Sequence, residues 1–333
     1  MHRLISPVFI IAVLVCGSAA AGPLPRIIFD TDLGGDADDL GALAMLHNMM
    51  TAGECELIAV MNWNTERHAL PAIVALNEFY GHPDVPGGTR KAGEWQADWQ
   101  YSEAVVDVLD APDGVEAPDA TSLYRALLGG ADDGSITIIA VGPLANILAL
   151  IESGPDAHSE LSGRELIRRK VSSFVVMGGR FPSGDHEWNF DGGMAGVTKK
   201  VFEAIDVPVI FSGFEVGDVI RPGEAFSALD PTHPLHAGYL HFSQHAPWMK
   251  DRFTGAILDN ASFDQTAVLY AVRGGLGDWW TLSEPGYVVP DADGGNVWKP
   301  DPDGNHRYLI LKADPDNVAR VIRNAMLGTR ASD

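Results

Sequence analysis

Basic residues are scarce in this sequence. The chain of 333 residues has 23 Lys and Arg against 45 Asp and Glu, which gives a formal net charge of −22 at pH 7. Nucleic acids and anionic membrane surfaces are bound by Lys and Arg, so this excess of acid disfavours both as partners. A hydrophobic content of 46 % excludes a disordered acidic tail. The composition describes a globular protein with a surplus of groups that bind cations.

Cysteine is also scarce, with two residues in the whole sequence. The sequence also lacks an apolar run long enough to span a bilayer. Arg3 precedes a short apolar run over residues 4–15, and small residues follow, with Ala19 and Ala21 placed as an A-x-A cleavage site. We therefore expect residues 1–21 to be a signal peptide, residues 22–333 to be the mature domain, and the protein to be secreted or periplasmic. Only Cys55 then remains, so the mature chain can form no intrachain disulfide.

Short apolar stretches alternate with amphipathic ones, without internal repeats or a low-complexity linker. The apolar stretches predict strands at residues 26–29, 56–61, 135–141, 171–177, 207–211 and 308–311. The amphipathic stretches predict helices at residues 39–50, 69–80 and 145–151. This alternation is typical of a single large α/β domain with a mainly parallel open sheet and helices on both faces. Ligands of such sheets bind at the carboxyl ends of the strands.

The densest group of acids follows the first predicted strand. Residues 30–39 read Asp-Thr-Asp-Leu-Gly-Gly-Asp-Ala-Asp-Asp, and no Lys or Arg occurs between Arg26 and Arg67. Carboxylates this close destabilise a folded loop unless a cation neutralises them, and oxygen ligands favour Ca²⁺ or Mg²⁺ over zinc. A helix start would explain the later acids of the loop, but it would not explain Asp30 and Asp32 at the end of a strand.

Two other acidic motifs compare poorly with this loop. An EF-hand beginning at Asp30 would need Glu at its twelfth position, which is Gly41, and a helix before it. Phosphatases with an aspartyl nucleophile also carry D-x-D after a strand. They usually continue with Thr-Leu or Thr-Val, where this chain has Gly34 and Gly35. The phosphatase remains an alternative.

Four segments resemble, in order and approximate spacing, the calcium-dependent nucleoside hydrolase family of inosine–uridine-preferring N-ribohydrolases. The acidic loop resembles the bacterial branch of that family, with the pattern D-x-D-x-G-x-D-x-D-D. The resemblance covers residues 25–275 and implies the nucleoside hydrolase fold, with a Rossmann-like core. The three further segments are Ala140–Asn146, Val176–Gly179 with Glu187–Phe190, and Ser262–Gln265.

The resemblance implies a metal site and a catalytic base. Asp32 would bind Ca²⁺ and act as the general base toward the attacking water. Asp39 and Asp264 would be further ligands, together with the backbone carbonyl of Val141. Asp38 would contact the ribose 2′-hydroxyl, although the register leaves open whether Asp36 takes that place.

Other residues would contact the substrate. Glu187 and Asn189 resemble the family's contacts to the ribose hydroxyls and ring, and Trp188 stands where an aromatic side chain faces the sugar or base. An Asn after the second strand should also touch ribose, and Asn62 and Asn64 fit this position equally well.

One residue departs from the family pattern. Nucleoside-preferring members carry His immediately before the late metal-binding Asp, where it protonates the leaving base, but this chain has Phe263. His186 and Glu215, in loops that follow predicted strands, are candidates for that role, and Phe263 is a candidate for stacking on an aromatic base.

We therefore expect an N-glycosyl hydrolase that cleaves a ribonucleoside or a related ribosyl compound by calcium-assisted attack of water. A small-molecule substrate and a homo-oligomer are the expected partners. Two alternatives stay open: a calcium-dependent ribosyl-ligand binding protein without turnover, and the aspartyl-nucleophile phosphatase.

Overall fold

The computed structural model describes residues 24–91, 99–112 and 114–329. The signal peptide predicted at residues 1–21 lies outside these ranges and stays a prediction. Within the described ranges, every helix is too short or too polar to cross a membrane.

A large mixed sheet forms the centre of the domain. In spatial order its strands run β3-β2-β1-β4-β5-β7-β11-β9-β10-β6, and β8 pairs with β11 outside this path. Pairing is parallel from β3 to β11 and antiparallel from β11 to β6, so the sheet is mainly parallel, as expected. The strands are β1 (Arg26–Thr31), β2 (Glu56–Asn62), β3 (Gly87–Thr89), β4 (Ile136–Ala140), β5 (Val171–Met177), β6 (Ser183–Gly184), β7 (Val209–Ser212), β8 (Trp280–Leu282), β9 (Gly286–Pro290), β10 (Asn296–Pro300) and β11 (His306–Leu311).

Helices cover both faces of the sheet. They are α1 (Asp38–Thr51), α2 (Ala69–Phe79), α3 (Ser102–Leu109), α4 (Ala120–Gly130), α5 (Ala145–Glu152), α6 (Gly163–Lys170), α7 (Trp188–Asp191), α8 (Val197–Ala204), α9 (Phe214–Gly217), α10 (Pro234–His245), α11 (Phe263–Arg273) and α12 (Pro315–Met326). Two short 3-10 helices span Glu224–Ala228 and Lys250–Arg252.

Alternating side chains of the central strands point into two hydrophobic cores. In β1, Ile27 and Phe29 belong to the core beneath α1, α11 and α12, whereas Ile28 belongs to the core beneath α4, α5 and α6. All three side chains are fully buried. Burial on both faces explains why the strands read as unbroken apolar runs rather than as alternating ones.

The predicted elements are present, with shifted ends. The first strand continues two residues past Phe29, because Asp30 and Thr31 still pair with β2. The buried Asp30 carboxylate accepts hydrogen bonds from the Tyr124 hydroxyl (2.8 Å) and from Asn146 Nδ2 (3.1 Å). The strand predicted from residue 207 begins at Val209, since Pro208 has no N–H to donate to a neighbouring strand. The antiparallel strands β9 and β10, which the turn 291–295 joins, lie outside the predicted strands.

Candidate active site

A cavity of about 670 Å³ opens where β1, β4 and β5 end. This size suits a small-molecule ligand. Eleven of the residues proposed from the sequence line it: Asp32, Asp36, Asp38, Asp39, Val141, His186, Glu187, Trp188, Asn189, Phe263 and Asp264. These residues come from four separate segments of the chain, and the parallel strand order brings them together.

Three buried carboxylates form the floor of the cavity. Asp38 and Asp39 are the first residues of α1, and Asp264 lies in the first turn of α11. One oxygen atom of each carboxylate lies within 4.8 Å of the others. The Asp264 backbone N–H also donates to Asp38 Oδ2 (3.3 Å), so the two helices begin side by side. Helix N-termini favour negative charge, which partly explains how the fold tolerates this group.

The electrostatics of the floor favour a further positive charge. Burial raises the pKa of Asp38, Asp39 and Asp264 well above the usual range, and the charges of the neighbouring carboxylates raise it further. Thr31 Oγ1 donates a hydrogen bond to Asp39, but a hydroxyl does not compensate a charge. Buried, oxygen-only donors of one sign fit a hard divalent cation. The residues present therefore fit the metal site that the sequence predicts.

The carboxylate cluster contains two members of the predicted ligand set, Asp39 and Asp264, and one further carboxylate. Asp38, which the sequence analysis assigned to the ribose, belongs to the cluster because it is the neighbour of Asp39 in the first turn of α1. Asp32 lies at the end of β1, and its Oδ2 accepts a hydrogen bond from Trp188 Nε1 (3.2 Å). Burial raises the pKa of Asp32 to about 7. A role for Asp32 as ligand and base stays a prediction.

Two glycines allow this close packing. Gly34 has φ of +130°, and a Cβ there would meet Gln100 Oε1 at 2.1 Å. A Cβ on Gly142 would meet the backbone nitrogen and Oδ1 of Asp32, both at 2.9 Å. The turn after β1 and the approach of the β4 end to Asp32 both depend on the missing side chain.

Glu187 and Asn189 are fixed by hydrogen bonds before any substrate binds. Glu187 caps α7 and accepts from the backbone N–H groups of Gly179 (2.8 Å), Asn189 (3.0 Å) and Phe190 (3.2 Å). Burial raises its pKa. Asn189 lines the cavity, and its Nδ2 donates to the carbonyls of Val141 (2.8 Å) and Met177 (3.1 Å). The Val141 carbonyl thereby keeps a fixed direction.

Asn62 and Asn64 are absent from the described residues that line the cavity. Asn62 Nδ2 donates to the Asn64 carbonyl (2.6 Å), and its Oδ1 accepts from the Asn64 N–H (3.0 Å). Asn64 Nδ2 donates to the Leu33 carbonyl (3.0 Å) and to Gln100 Oε1 (3.0 Å). The amides of Asn62 and Asn64 therefore form hydrogen bonds within and beside the acidic loop at residues 30–39. A ribose contact by either side chain stays a prediction.

The candidates for protonating the leaving group differ in position. His186 lines the cavity, and its Nε2 lies 3.1 Å from Asp191 Oδ2. Glu215 is absent from the described lining, and its Oε2 accepts from the Phe181 N–H (3.1 Å). Phe263 lines the cavity and packs on Phe214 with ring centroids 4.9 Å apart.

Several lining residues carried no recognisable signal in the sequence. Asn260 donates to Asp36 Oδ1 (2.5 Å), which holds Asp36 beside the floor. Trp99 and Trp248 meet edge to face, with centroids 5.7 Å apart. Three arginines also reach the cavity, namely Arg180, Arg221 and Arg252. Each lies outside the four motifs, and only the fold brings them to one place.

The comparisons with known proteins agree with this arrangement. The family model described as "Inosine-uridine preferring nucleoside hydrolase" matches residues 27–290. Among curated proteins, the chain is similar to the probable uridine nucleosidase 1 of Oryza sativa subsp. japonica, with 28 % identity over 164 residues. That match covers 47 % of this chain and 47 % of the rice protein, so the chain spans about half the length of this relative.

Solved structures share the fold over almost the whole chain. A plant nucleoside hydrolase superposes with a TM-score of 0.67 at 18 % identity, covering 91 % of this chain and 99 % of that one. The purine-preferring ribonucleoside hydrolase from Gardnerella vaginalis gives 0.66 at 16 % identity, covering 91 % and 99 %. The type III effector protein XopQ, complexed with adenosine diphosphate ribose, gives 0.63 at 16 % identity, covering 92 % and 93 %. At these identities the likeness shows the fold alone.

Proposed function

The chain belongs to the inosine-uridine preferring nucleoside hydrolase family, and on this premise we propose that it hydrolyses the N-glycosidic bond of a ribonucleoside or a related ribosyl compound. The observation that carries the proposal is the group of buried carboxylates on the floor of a cavity at the carboxyl edge of the sheet. Breaking this bond places positive charge on the ribose ring, and an anionic pocket stabilises that charge.

Individual side chains would divide the work. Asp32 accepts a proton from the attacking water, and the 3.2 Å hydrogen bond from Trp188 Nε1 holds its carboxylate in place. Glu187 and the Oδ1 of Asn189 accept hydrogen bonds from the ribose hydroxyls. Of the two candidates for protonating the departing base, His186 is the one that lines the described part of the cavity.

We propose Ca²⁺ as the cation, held by Asp38, Asp39, Asp264 and the Val141 carbonyl, with Asp32 as a further ligand. All of these donors are oxygen atoms, which suits a hard ion. When bound, the cation would orient two sugar hydroxyls and lower the pKa of the attacking water.

One observation favours a second candidate function, a ribosyl-ligand binding protein without turnover. Phe263 occupies the position before Asp264 where nucleoside-preferring relatives carry an acid, and it packs on Phe214. A complete pocket with a poor leaving-group acid would bind more readily than it cleaves. The phosphatase alternative has no such support, and we do not retain it.

Release of ribose from purine and pyrimidine nucleosides tests the proposal. We expect turnover that a chelator abolishes and that added Ca²⁺ restores better than Mg²⁺ or Zn²⁺. Asp32→Asn should lower kcat by a factor of about 10² to 10⁴, the range for loss of a general base.

The matched control is Asp84→Asn, which removes one exposed carboxylate outside the cavity and should leave turnover unchanged. Tight Ca²⁺ binding with no ribose released from any compound would support the binding protein instead. Full activity of Asp32→Asn would show that another group is the base.

A further inference from the structure

Three arginines line the same cavity as the acidic floor, in a chain with only 23 basic residues. Arg180 follows β5, Arg221 follows α9, and Arg252 ends the second 3-10 helix. Arg180 is half-buried, whereas Arg221 and Arg252 are exposed. We call these three side chains the arginine rim.

The protein itself satisfies few of the rim's hydrogen-bond donors. Among the described residues, neither Arg180 nor Arg252 forms an ion pair with a carboxylate. Arg180 donates through Nε to the His186 carbonyl (3.0 Å), and Arg252 has one weak contact to Met249 Sδ (3.9 Å). Arg221 has one loose ion pair, 3.5 Å from Asp218 Oδ1, and its Nη1 donates to the Asp259 carbonyl (3.5 Å). Guanidinium groups that line a cavity with donors to spare are suited to an anionic ligand.

Aromatic side chains of the cavity connect Arg180 of the rim with the acidic floor. Phe263 directly precedes Asp264, its ring packs on Phe214 at 4.9 Å, and the Arg180 guanidinium lies over the Phe214 ring at 3.6 Å. This cation–π contact holds the guanidinium plane in one orientation. The same cavity is thus lined by carboxylates, aromatic rings and guanidinium groups.

We propose that the arginine rim binds phosphate, so that the substrate is a phosphorylated ribosyl compound rather than an uncharged nucleoside; this inference rests on the proposed function. An uncharged nucleoside has no group that would pair with three guanidiniums, whereas phosphate accepts two parallel N–H bonds from each.

The proposed reaction keeps the chemistry of the neutral case. A water oxygen bonds to C1′, the C1′–N bond breaks with its electron pair leaving on the base, and the proton from water ends on that base. The other product is ribose 5-phosphate, or a ribosyl diphosphate compound where the phosphate belongs to a pyrophosphate.

Paired substrates test the inference in the calcium-loaded protein. We expect kcat/KM to be at least about tenfold higher for uridine 5′-monophosphate than for uridine, and for inosine 5′-monophosphate than for inosine, since charge-assisted phosphate contacts are strong. Adenosine diphosphate ribose distinguishes the two sources of phosphate: faster turnover of this compound than of the monophosphates would assign the rim to a pyrophosphate.

Arg252→Gln and Arg180→Gln should each reduce the ratio of kcat/KM for nucleotide over nucleoside about tenfold. Arg320→Gln is the matched control, because Arg320 is exposed on α12 and its guanidinium donates to Asn317 Oδ1 (3.2 Å), outside the described lining of the cavity. This control should leave the ratio unchanged.

Two outcomes would overturn the inference. In the first, the wild-type protein prefers nucleosides to nucleotides. In the second, the rim variants slow both substrate classes equally, which would assign the guanidiniums to the leaving base in place of the acid missing at position 263. Absence of all turnover would contradict the proposed function instead. Calorimetric binding of ribose 5-phosphate against ribose then decides the inference, and equal affinity for the two would refute it.

Discussion

Removing the Asn189 side-chain amide should destabilise the protein and disorder its site together. Asn189 Nδ2 donates to two buried carbonyls, those of Val141 (2.8 Å) and Met177 (3.1 Å), at the ends of two neighbouring strands. Asn189→Ala leaves both acceptors without this donor. Each buried unsatisfied group costs about 1–3 kcal/mol, and water entering from the cavity recovers part of this cost. We therefore expect a loss of about 3 kcal/mol in the free energy of unfolding.

In a chain of this length, a loss of about 3 kcal/mol corresponds to a melting temperature lower by about 4 °C. Calorimetry with and without Ca²⁺ measures this shift, and ribose release measures the effect on the site. We expect two quantities to be smaller in this variant: kcat/KM, and the increase in melting temperature that Ca²⁺ produces. Both decrease because the Val141 carbonyl loses its fixed direction.

Asn305→Ala is the matched control. Asn305 is half-buried, and its Nδ2 donates to a single carbonyl, that of Val207 (2.9 Å), outside the cavity. We expect this variant to melt about 2 °C lower with unchanged turnover. A melting temperature of Asn189→Ala within 1 °C of the wild type would refute the assigned role of the two hydrogen bonds.

Two further predictions concern charge. Asp264→Asn removes one of three buried like charges, so it should raise the melting temperature of the chelated protein and abolish the stabilisation by Ca²⁺; a melting temperature that still rises with Ca²⁺ would contradict the ligand role. Burial lowers the pKa of His47 to about 4. Between pH 6.5 and pH 4, His47 therefore binds a proton in the unfolded chain but not in the folded protein. The free energy of unfolding decreases as the pH drops through this range. In His47→Gln, the decrease in the free energy of unfolding between pH 6.5 and pH 5 should be smaller by about 2 kcal/mol, measured by urea unfolding. If the pH dependence of this free energy is unchanged in the variant, His47 does not cause it.

Regular elements could be predicted where burial on both sides gives a strand an unambiguous pattern. Strand β5, Val171–Met177, has the predicted ends, and β1 and β2 differ from theirs by only one or two residues. Antiparallel β9 and β10 were missed because their side chains alternate between buried and exposed over only five residues each, within a segment rich in Asp, Gly and Pro. A pattern so short does not distinguish a strand from a turn.

The acidic part of the site could be predicted because it is local in sequence, and the rest could not. The carboxylates of residues 30–39 follow one strand, whereas the arginine rim comes from three loops that only the tertiary fold brings together. Asn62 and Asn64 show the opposite case. Their position after β2 suited a substrate contact, but the backbone of the adjacent loops uses their amides.

The floor also has a consequence for the order in which the protein is made. The Asp264 N–H and the Asp38 carboxylate that meet there are 226 positions apart in the chain. A chain emerging from the ribosome therefore exposes its crowded N-terminal carboxylates long before their last partner has been synthesised. Until then those carboxylates stay hydrated and apart. The unfavourable free energy of desolvating them and bringing them together therefore enters at a late step of folding. An ion present at that step would select the finished arrangement over compact but incomplete ones.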